Sequence, residues 1–533
     1  MVSYVSVVPL IRSIRGKDHF TYATELSLSV GEIVWVPWRN HISIGVVAVL
    51  ACPAFPRAKA ITQTTGTIIP AAYWQWLQWF ADFYYISQAS ALLAALPTWP
   101  RRLTTKANPP VQLNATHSVL RLSPPRVQAV QAVVAELSTQ TQPTTILYQQ
   151  SQDCVAIMHG LLQPATGPIV FICPETDDVE RWRGWLAKFK PVVVEAKRAA
   201  TVRTAWALLL HSSPGVLIGT KRLALLPLTQ AARICVLDPE HSAHKQWEMN
   251  PRYHVWRVAS EHSRLGQVPL TCFSQAPRLE QVQTNQIITT LLQPTVMATL
   301  TTIVPTAGAY LSPSLVEVIE QHDRVVIWHN RTGLARFAIC QHCQYLSADV
   351  SIAACPRCQA QSFRLAGFGT AMLKRLLHAQ FPERQVMEVT AQLKFDHLTI
   401  TPGTILIGTN ALFARIPWSQ VDVAIATSVD SQLAYPGFRS HEETLQQLVR
   451  LRNQVPKLYL YTHVPEHPVV QALRQPYAAA WYQATLTERQ RYHYPPAADY
   501  IKLIEPKSGN ERVLHQVADI PTTGTDWMID REC

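Results

Sequence analysis

The sequence predicts an α/β protein: a small N-terminal β-barrel, then two larger units of alternating strands and helices, the second carrying a metal clip. Three observations predict it. Residues 1 to about 50 alternate apolar and polar positions in short runs broken by glycines, as in a small barrel. From residue 121 strand-like and helix-like runs alternate through two successive stretches, the pattern of parallel sheets covered on both faces. Two Cys-x-x-Cys pairs, eleven residues apart, interrupt the second stretch.

The barrel runs fall at 5–7, 21–28, 32–36 and 44–49, divided by Gly16, Gly31 and Gly45. Met1 to Leu10 has no charged leading region and runs into Arg12, Arg15 and Lys17, so it reads as a strand and not a signal peptide. The rings of Tyr73-Trp-Gln-Trp-Leu-Gln-Trp-Phe-Ala-Asp-Phe-Tyr-Tyr85 recur at helical spacing and are expected to pack against the barrel. Barrel and helix make a unit of 1–105. A linker of Pro, Thr, Asn and basic residues follows at 106–120.

In 121–300, the four apolar residues Ile234 to Leu237 read as a buried parallel strand, with Asp238, Glu240 and His241 at its carboxyl end. Open α/β sheets place ligands there. One acid can hold Mg²⁺ through water, a second can orient an attacking water, and a His can couple the site to its surroundings. A lone Asp-x-Glu-His is otherwise a common exposed turn. In 301–480, Cys340, Cys343, Cys355 and Cys358 have the spacing of two zinc knuckles, since tetrahedral Zn²⁺ takes four thiolates from two such turns. The insert 340–358 is therefore expected to bind one structural Zn²⁺, with His342 outside the ligand set.

Of 533 residues, 48% are hydrophobic and 16% charged, which excludes a disordered chain and requires several cores. Lys and Arg outnumber Asp and Glu by 47 to 36, a balance that suits a polyanionic partner. Six of the ten cysteines are scattered, mostly in apolar runs, as in a reducing compartment. No apolar run approaches the roughly 20 residues of a membrane helix. The expectation is a soluble, cytoplasmic protein with no membrane partner.

Asp238-Pro-Glu-His241 and the run Lys245-Gln246 to Pro251-Arg-Tyr-His254 resemble the Asp-Glu-Glu-His box and following segment of the PriA family, the replication-restart helicases of superfamily II. Cys173-Pro-Glu175, Ile218-Gly-Thr-Lys-Arg222, Ser274 to Glu280, Arg324 to Gly333 and Tyr494-Pro-Pro496 extend the resemblance from about residue 5 to 500. It implies RecA-like helicase lobes at 121–300 and 301–480 and a truncated C-terminal domain remnant at 481–533. Phe20-x-Tyr22, Lys59-Ala-Ile61 and Ala81-Asp-Phe-Tyr84 are similar to the family's 3′ DNA-binding domain, which implies DNA contacts at Phe20, Tyr22 and Lys59. The family's DNA-backbone turns correspond to Gly219, Thr220 and Lys221 and to Gly408 and Thr409.

The departures concern nucleotide. A phosphate loop needs glycines, a Lys and a Ser or Thr, whereas this span reads Tyr148-Gln-Gln-Ser-Gln-Asp-Cys-Val-Ala-Ile157, with Val155 and Ala156 at the Lys and Thr positions. Asp153 is an anion where phosphates would lie, and Arg126 stands at the adenine-reading Gln. Ala276 replaces a coupling Thr, Thr21 an Asp. Arg450 and Arg452 occupy the arginine-finger helix without its glycines and read as a solvated face. ATP and Mg²⁺ thus lose their seat, and Asp238, Glu240 and His241 form a degenerate box. The resemblance implies a primosomal protein of forked or single-stranded DNA that does not hydrolyse ATP, with primosome proteins or single-strand-binding protein as further partners. The alternatives are an active ATP-dependent 3′ to 5′ helicase and a protein-interaction scaffold without specific DNA binding.

Overall fold

Strand pairing in the N-terminal region follows the alternating runs. A computed structural model describes residues 2–11, 15–97, 122–195, 197–292, 297–306, 311–330, 337–343, 345–347, 352–366, 369–390, 399–435, 437–505, 511–514 and 528–531. The linker at 106–120 lies outside them. The chain divides into two compact units, Met1–Leu291 with Thr485–Cys533, and Leu292–Ala484.

In the first unit, β1 (Ser3–Pro9), β2 (Phe20–Thr24), β3 (Glu32–Trp38), β4 (His41–Val49), β5 (Ala60–Ile61) and β6 (Gln63–Ile68) form one sheet in the order β5-β2-β1-β4-β3-β6. It is a curled half-barrel, built where a barrel was expected: β5 and β6 are its two edges. Val5, Val7, Tyr22, Val34, Val36 and Val47 pack into one apolar cluster on it.

The aromatic helix Ala71–Phe83 begins after Pro70, whose fixed φ suits a helix entry, and gives way to Tyr85 at φ +54°. Its rings are core, as expected, but the barrel is only one of the two surfaces they cover. Val8, Ile33 and Val46 lie on one side; Trp206, Val255 and Val258 of the following α/β region belong to the same apolar cluster. The correction has a polar signature. Tyr73 Oη donates to Leu225 O at 2.6 Å, Trp76 Nε1 donates to Val258 O at 3.2 Å, and the His262 ring stacks on Trp76 at 4.0 Å. A helix with rings around most of its girth must be covered on two faces, and each buried ring is worth about 1.5–3 kcal/mol.

The following seven strands, β7 (Thr144–Leu147), β8 (Pro168–Ile172), β9 (Val192–Val194), β10 (Gly215–Gly219), β11 (Arg233–Leu237), β12 (Leu270–Ser274) and β13 (Gln286–Ile288), form a wholly parallel sheet ordered β13-β7-β12-β11-β8-β10-β9. Near-continuous Val, Ile and Leu make its central strands buried on both faces. This is a parallel α/β lobe with apolar clusters on both faces of its sheet.

In the second unit, β14 (Thr299–Ile303) and β15 (Arg324–Trp328) precede the insert strands β16 (Phe337–Cys340), β17 (Leu346–Ser347) and β18 (Phe363–Ala366), which make a small antiparallel sheet. Then β19 (Gln385–Val389), β20 (Thr404–Gly408), β21 (Val423–Ala426) and β22 (Lys457–Tyr461) complete a second parallel sheet, ordered β14-β22-β21-β15-β20-β19. It is the second parallel α/β lobe.

The chain end returns to the first unit as β23 (Ile501–Ile504), β24 (Glu511–Leu514) and β25 (Met528–Asp530). Asp530, 1% exposed, accepts from the buried Lys245 Nζ at 2.5 Å. Among the described residues, no helix is long and apolar enough to cross a membrane.

Candidate functional site

Parallel register gathers the first lobe's polar residues at one sheet edge. β12 lies between β7 and β11, with Ser274 opposite Leu147 and Phe273 opposite Leu237. Tyr148, Ser274 and Asp238 therefore leave three adjacent strands side by side. Asp238 sits at φ +43°, a conformation that non-glycine residues adopt at a cost of roughly 1–3 kcal/mol and that clusters at functional turns.

Each acid of the box meets a protein partner. Tyr148 Oη donates to Asp238 Oδ1 at 2.6 Å. Glu240 accepts from Ser274 Oγ at 2.9 Å and from the Gln275 amide at 3.1 Å. Burial, then the Asp238 charge, pushes the Glu240 carboxyl up to about 8. The His241 ring accepts from the Ala243 amide at 3.2 Å and so caps the turn Ser242–His244; Glu175 lies 3.9 Å from its other nitrogen. His244, which the sequence did not single out, is fully buried, donates to Leu237 O at 2.7 Å, and is held neutral by burial, with its pKa lowered to about 4.

The span in the phosphate loop's place is helical. Helix Ser151–Leu162 starts directly after the strand-end Tyr148-Gln-Gln turn, and Val155 is core. Asp153, in its first turn, is 0% exposed. Arg126, from helix Pro124–Thr139, clasps it with two parallel hydrogen bonds, Nε to Oδ1 at 2.6 Å and Nη2 to Oδ2. The two positions read separately from the sequence, an unexpected anion and a missing adenine reader, are one ion pair.

The two glycine-threonine turns occupy equivalent places in their own lobes. Gly219 ends β10 beside β9, where a Cβ would lie 2.9 Å from Val194 O; Gly408 ends β20 beside β19, where it would lie 2.9 Å from Val389 O. Only glycine lets the neighbouring carbonyl approach so closely. Thr220 and Thr409 are half-buried. Lys221 Nζ donates to Lys245 O at 3.4 Å.

On the half-barrel, Phe20 meets Trp38 edge to face at 4.6 Å, and the exposed Lys59 donates to Arg39 O at 3.1 Å. Trp38 and the exposed Arg39, at φ +47°, were missed by sequence reasoning, although an aromatic and basic pair at a tight hairpin was a usable signal. Tyr22 is different: at 4% exposure it is a wall of the core and offers no ring face for stacking. Arg452 corrects another expectation. It is 1% exposed, not on a solvated face, and donates to Leu473 O at 2.8 Å and Gln475 O at 2.7 Å. Arg450 lies over the Phe413 ring at 4.4 Å.

The four insert cysteines converge, their sulfurs all within 4.8 Å of one another. Cys340 and Cys358 are 3.5 Å apart, as are Cys343 and Cys355. Zn–S bonds of about 2.3 Å in a tetrahedron need sulfurs about 3.8 Å apart, so the donor set fits one closed zinc site. His342 points to solvent.

A family model described as the 3′ DNA-binding domain (3′BD) of PriA matches residues 8–97. Replication restart protein PriA of Synechocystis sp. is 24% identical over 377 residues, 58% of this chain and 45% of that protein. Its counterpart in Rickettsia conorii is 20% identical over 575 residues, 93% of this chain and 86% of that protein. The chain spans about half the length of several such relatives. A structure of Mycobacterium smegmatis helicase Lhr bound to single-stranded DNA and AMP-PNP aligns at 14% identity with a TM-score of 0.38, over 67% of this chain and 48% of that one. The chain is similar to PriA proteins at 20–24% identity.

Proposed function

We propose that this chain acts in replication restart as a protein of forked or single-stranded DNA that does not turn over ATP. The observation that carries the reading is the Arg126 to Asp153 pair. A guanidinium and a carboxylate fill the strand-end helix start, leaving neither glycine amides nor a lysine for a triphosphate. Nearby, Asp238 is engaged by Tyr148 and Glu240 by Ser274, the groups that would otherwise serve Mg²⁺ and water. ATP with Mg²⁺ does not fit this donor set.

DNA is held by what remains: aromatic and basic groups of the half-barrel, the two glycine-threonine turns, and an overall charge of +11. Zn²⁺, bound by Cys340, Cys343, Cys355 and Cys358, would fix the insert and do no chemistry, since four thiolates leave no open position. Primosome proteins or single-strand-binding protein are the partners such a tether would gather. The test is the ATPase rate of the zinc-loaded chain with and without forked DNA, against Asp238→Ala/Glu240→Ala as blank. Equal rates with retained, salt-sensitive fork binding are expected. DNA-stimulated turnover lost in the blank would restore the helicase; fork binding no stronger than that of an unrelated protein of equal charge would leave a protein scaffold.

A further inference from the structure

The chain end is tied to the segment that follows the box. Segment Lys245–His254 leaves the turn Ser242–His244 and folds back on itself: Lys245 and His254 form a bridge, and the Gln246 amide donates to Tyr253 O at 2.8 Å. Lys245 Nζ closes the loop by donating to Arg252 O at 2.9 Å. An ammonium at 3% exposure needs a counter-charge, and the one it meets stands 285 residues away in the chain. Asp530 accepts from it at 2.5 Å and lies 3.9 Å from Arg252 Nη1.

The strand that carries Asp530 belongs to a small sheet. Side chains alternate along β25, so Ile529 joins a cluster with Ile501, Leu503 and Leu514 while Asp530 reaches the lobe. Arg531 is a second fastening: Nη1 donates to Phe83 O at 3.3 Å, and the guanidinium lies over the Phe83 ring at 4.2 Å. Those four apolar residues are a thin core beside the clusters that hold the lobe. Thinly cored elements open at lower cost than the fold as a whole.

We propose that β25 is an autoinhibitory latch: docked, Asp530 withholds Lys245 and Arg252 from nucleic-acid phosphate, and release of the strand turns the pair outward as a further backbone contact. A carboxylate and a phosphate are alternative partners for the same two cations, so the strand and single-stranded DNA compete. Lys245 without Asp530 is a buried unpaired charge, and the cost of keeping it there drives it to solvent or onto a phosphate. The inference rests on the DNA-binding reading above and adds to it a contact that the closed chain does not offer.

The experiment follows binding of the full, zinc-loaded chain to a fluorescent single-stranded oligonucleotide across a salt series, with amide hydrogen exchange read over 528–530. Asp530→Asn is expected to bind roughly 5-fold tighter at low salt, with a salt slope steeper by about 1.4 for two phosphates at ~0.7 each. Lys245→Met/Asp530→Leu, which replaces the pair by an apolar contact, should bind as the parent does. So should Glu320→Gln, which makes the same change of net charge at the exposed end of helix Pro313–Glu320. In the parent, oligonucleotide should speed exchange at 528–530. A folded Asp530→Asn chain with the parent's affinity and slope overturns the proposal, as does an equal gain in Glu320→Gln. If Asp530→Asn does not fold, the parent's exchange decides: acceleration by oligonucleotide supports the latch, and unchanged exchange overturns it. The DNA-binding reading stands or falls on the parent against an unrelated protein of equal charge, whereas the latch is judged on variant against parent, so each can fail alone.

Discussion

At the carboxyl ends of β7, β11 and β12, each acid of the first lobe has found a donor within the protein: Tyr148 for Asp238, Ser274 for Glu240, Arg126 for Asp153. The four thiols of the second lobe's insert face one another, at 3.5 Å in two pairs, with backbone amides and no charged side chain as their other partners among the described residues. Both groups were picked out by residue type and spacing. Their difference shows how a cluster that invites a metal is told from one satisfied by its own chain. Buried polar and charged groups that are hydrogen-bonded internally are at low energy without a ligand. Four converging cysteines carry four potential charges with no counter-ion except a metal.

The largest effect that can break this comparison is metal removal. Purified chain should contain one zinc, and Cys343→Ser/Cys355→Ser should contain none and expose 337–366 to protease. Apparent zinc binding of order 10 kcal/mol is at stake. An insert that stays protected in the metal-free variant would place the thiols with the internally satisfied groups. Next is Tyr148→Phe, which leaves the Asp238 carboxylate short of its donor and should cost about 1–3 kcal/mol in urea unfolding. Unchanged stability would mean that Asp238 is still served by solvent or ions.

Glu240→Gln sharpens the same point through pH. The Glu240 pKa is raised from 4.5 to about 8, so the folded chain binds more protons than the unfolded one between those values. Its contribution to stability therefore falls as pH rises across that window. The Gln variant should lack this slope and gain on the parent most at pH 8 to 9. Parallel stability profiles for the two chains would show that Glu240 is open to water. The smallest effect is Lys59→Ala, expected to weaken single-strand binding slightly and reduce the salt slope by about 1; an unchanged slope would remove Lys59 from the DNA contacts.

Much of the frame was legible because periodicity and spacing are local. The run Ile234 to Leu237 became β11, and the cysteine knuckles closed as their spacing required. The candidate site was legible as a set of residues, and the span 148–157 could be read as glycine-free. Its wiring was not. Arg126 and Asp153 lie 27 residues apart and Tyr148 and Asp238 lie 90 apart, separations at which a single sequence carries no signal of contact. Arg452 looked solvated because helical position alone does not say which face is covered; the carbonyls of Leu473 and Gln475 decided it.

By itself the sequence determined the order of strands and helices, the two parallel sheets, the four-cysteine cluster and the lack of glycine across 148–157, since each depends on residues within a few turns or one strand of one another. Tertiary structure alone decided what the aromatic helix covers, that Asp530 neutralises Lys245, and that Asp153 is clasped and not exposed. Those outcomes depend on which buried charges and rings are brought within a few ångströms by packing, and burial makes any unpaired group there too costly to keep.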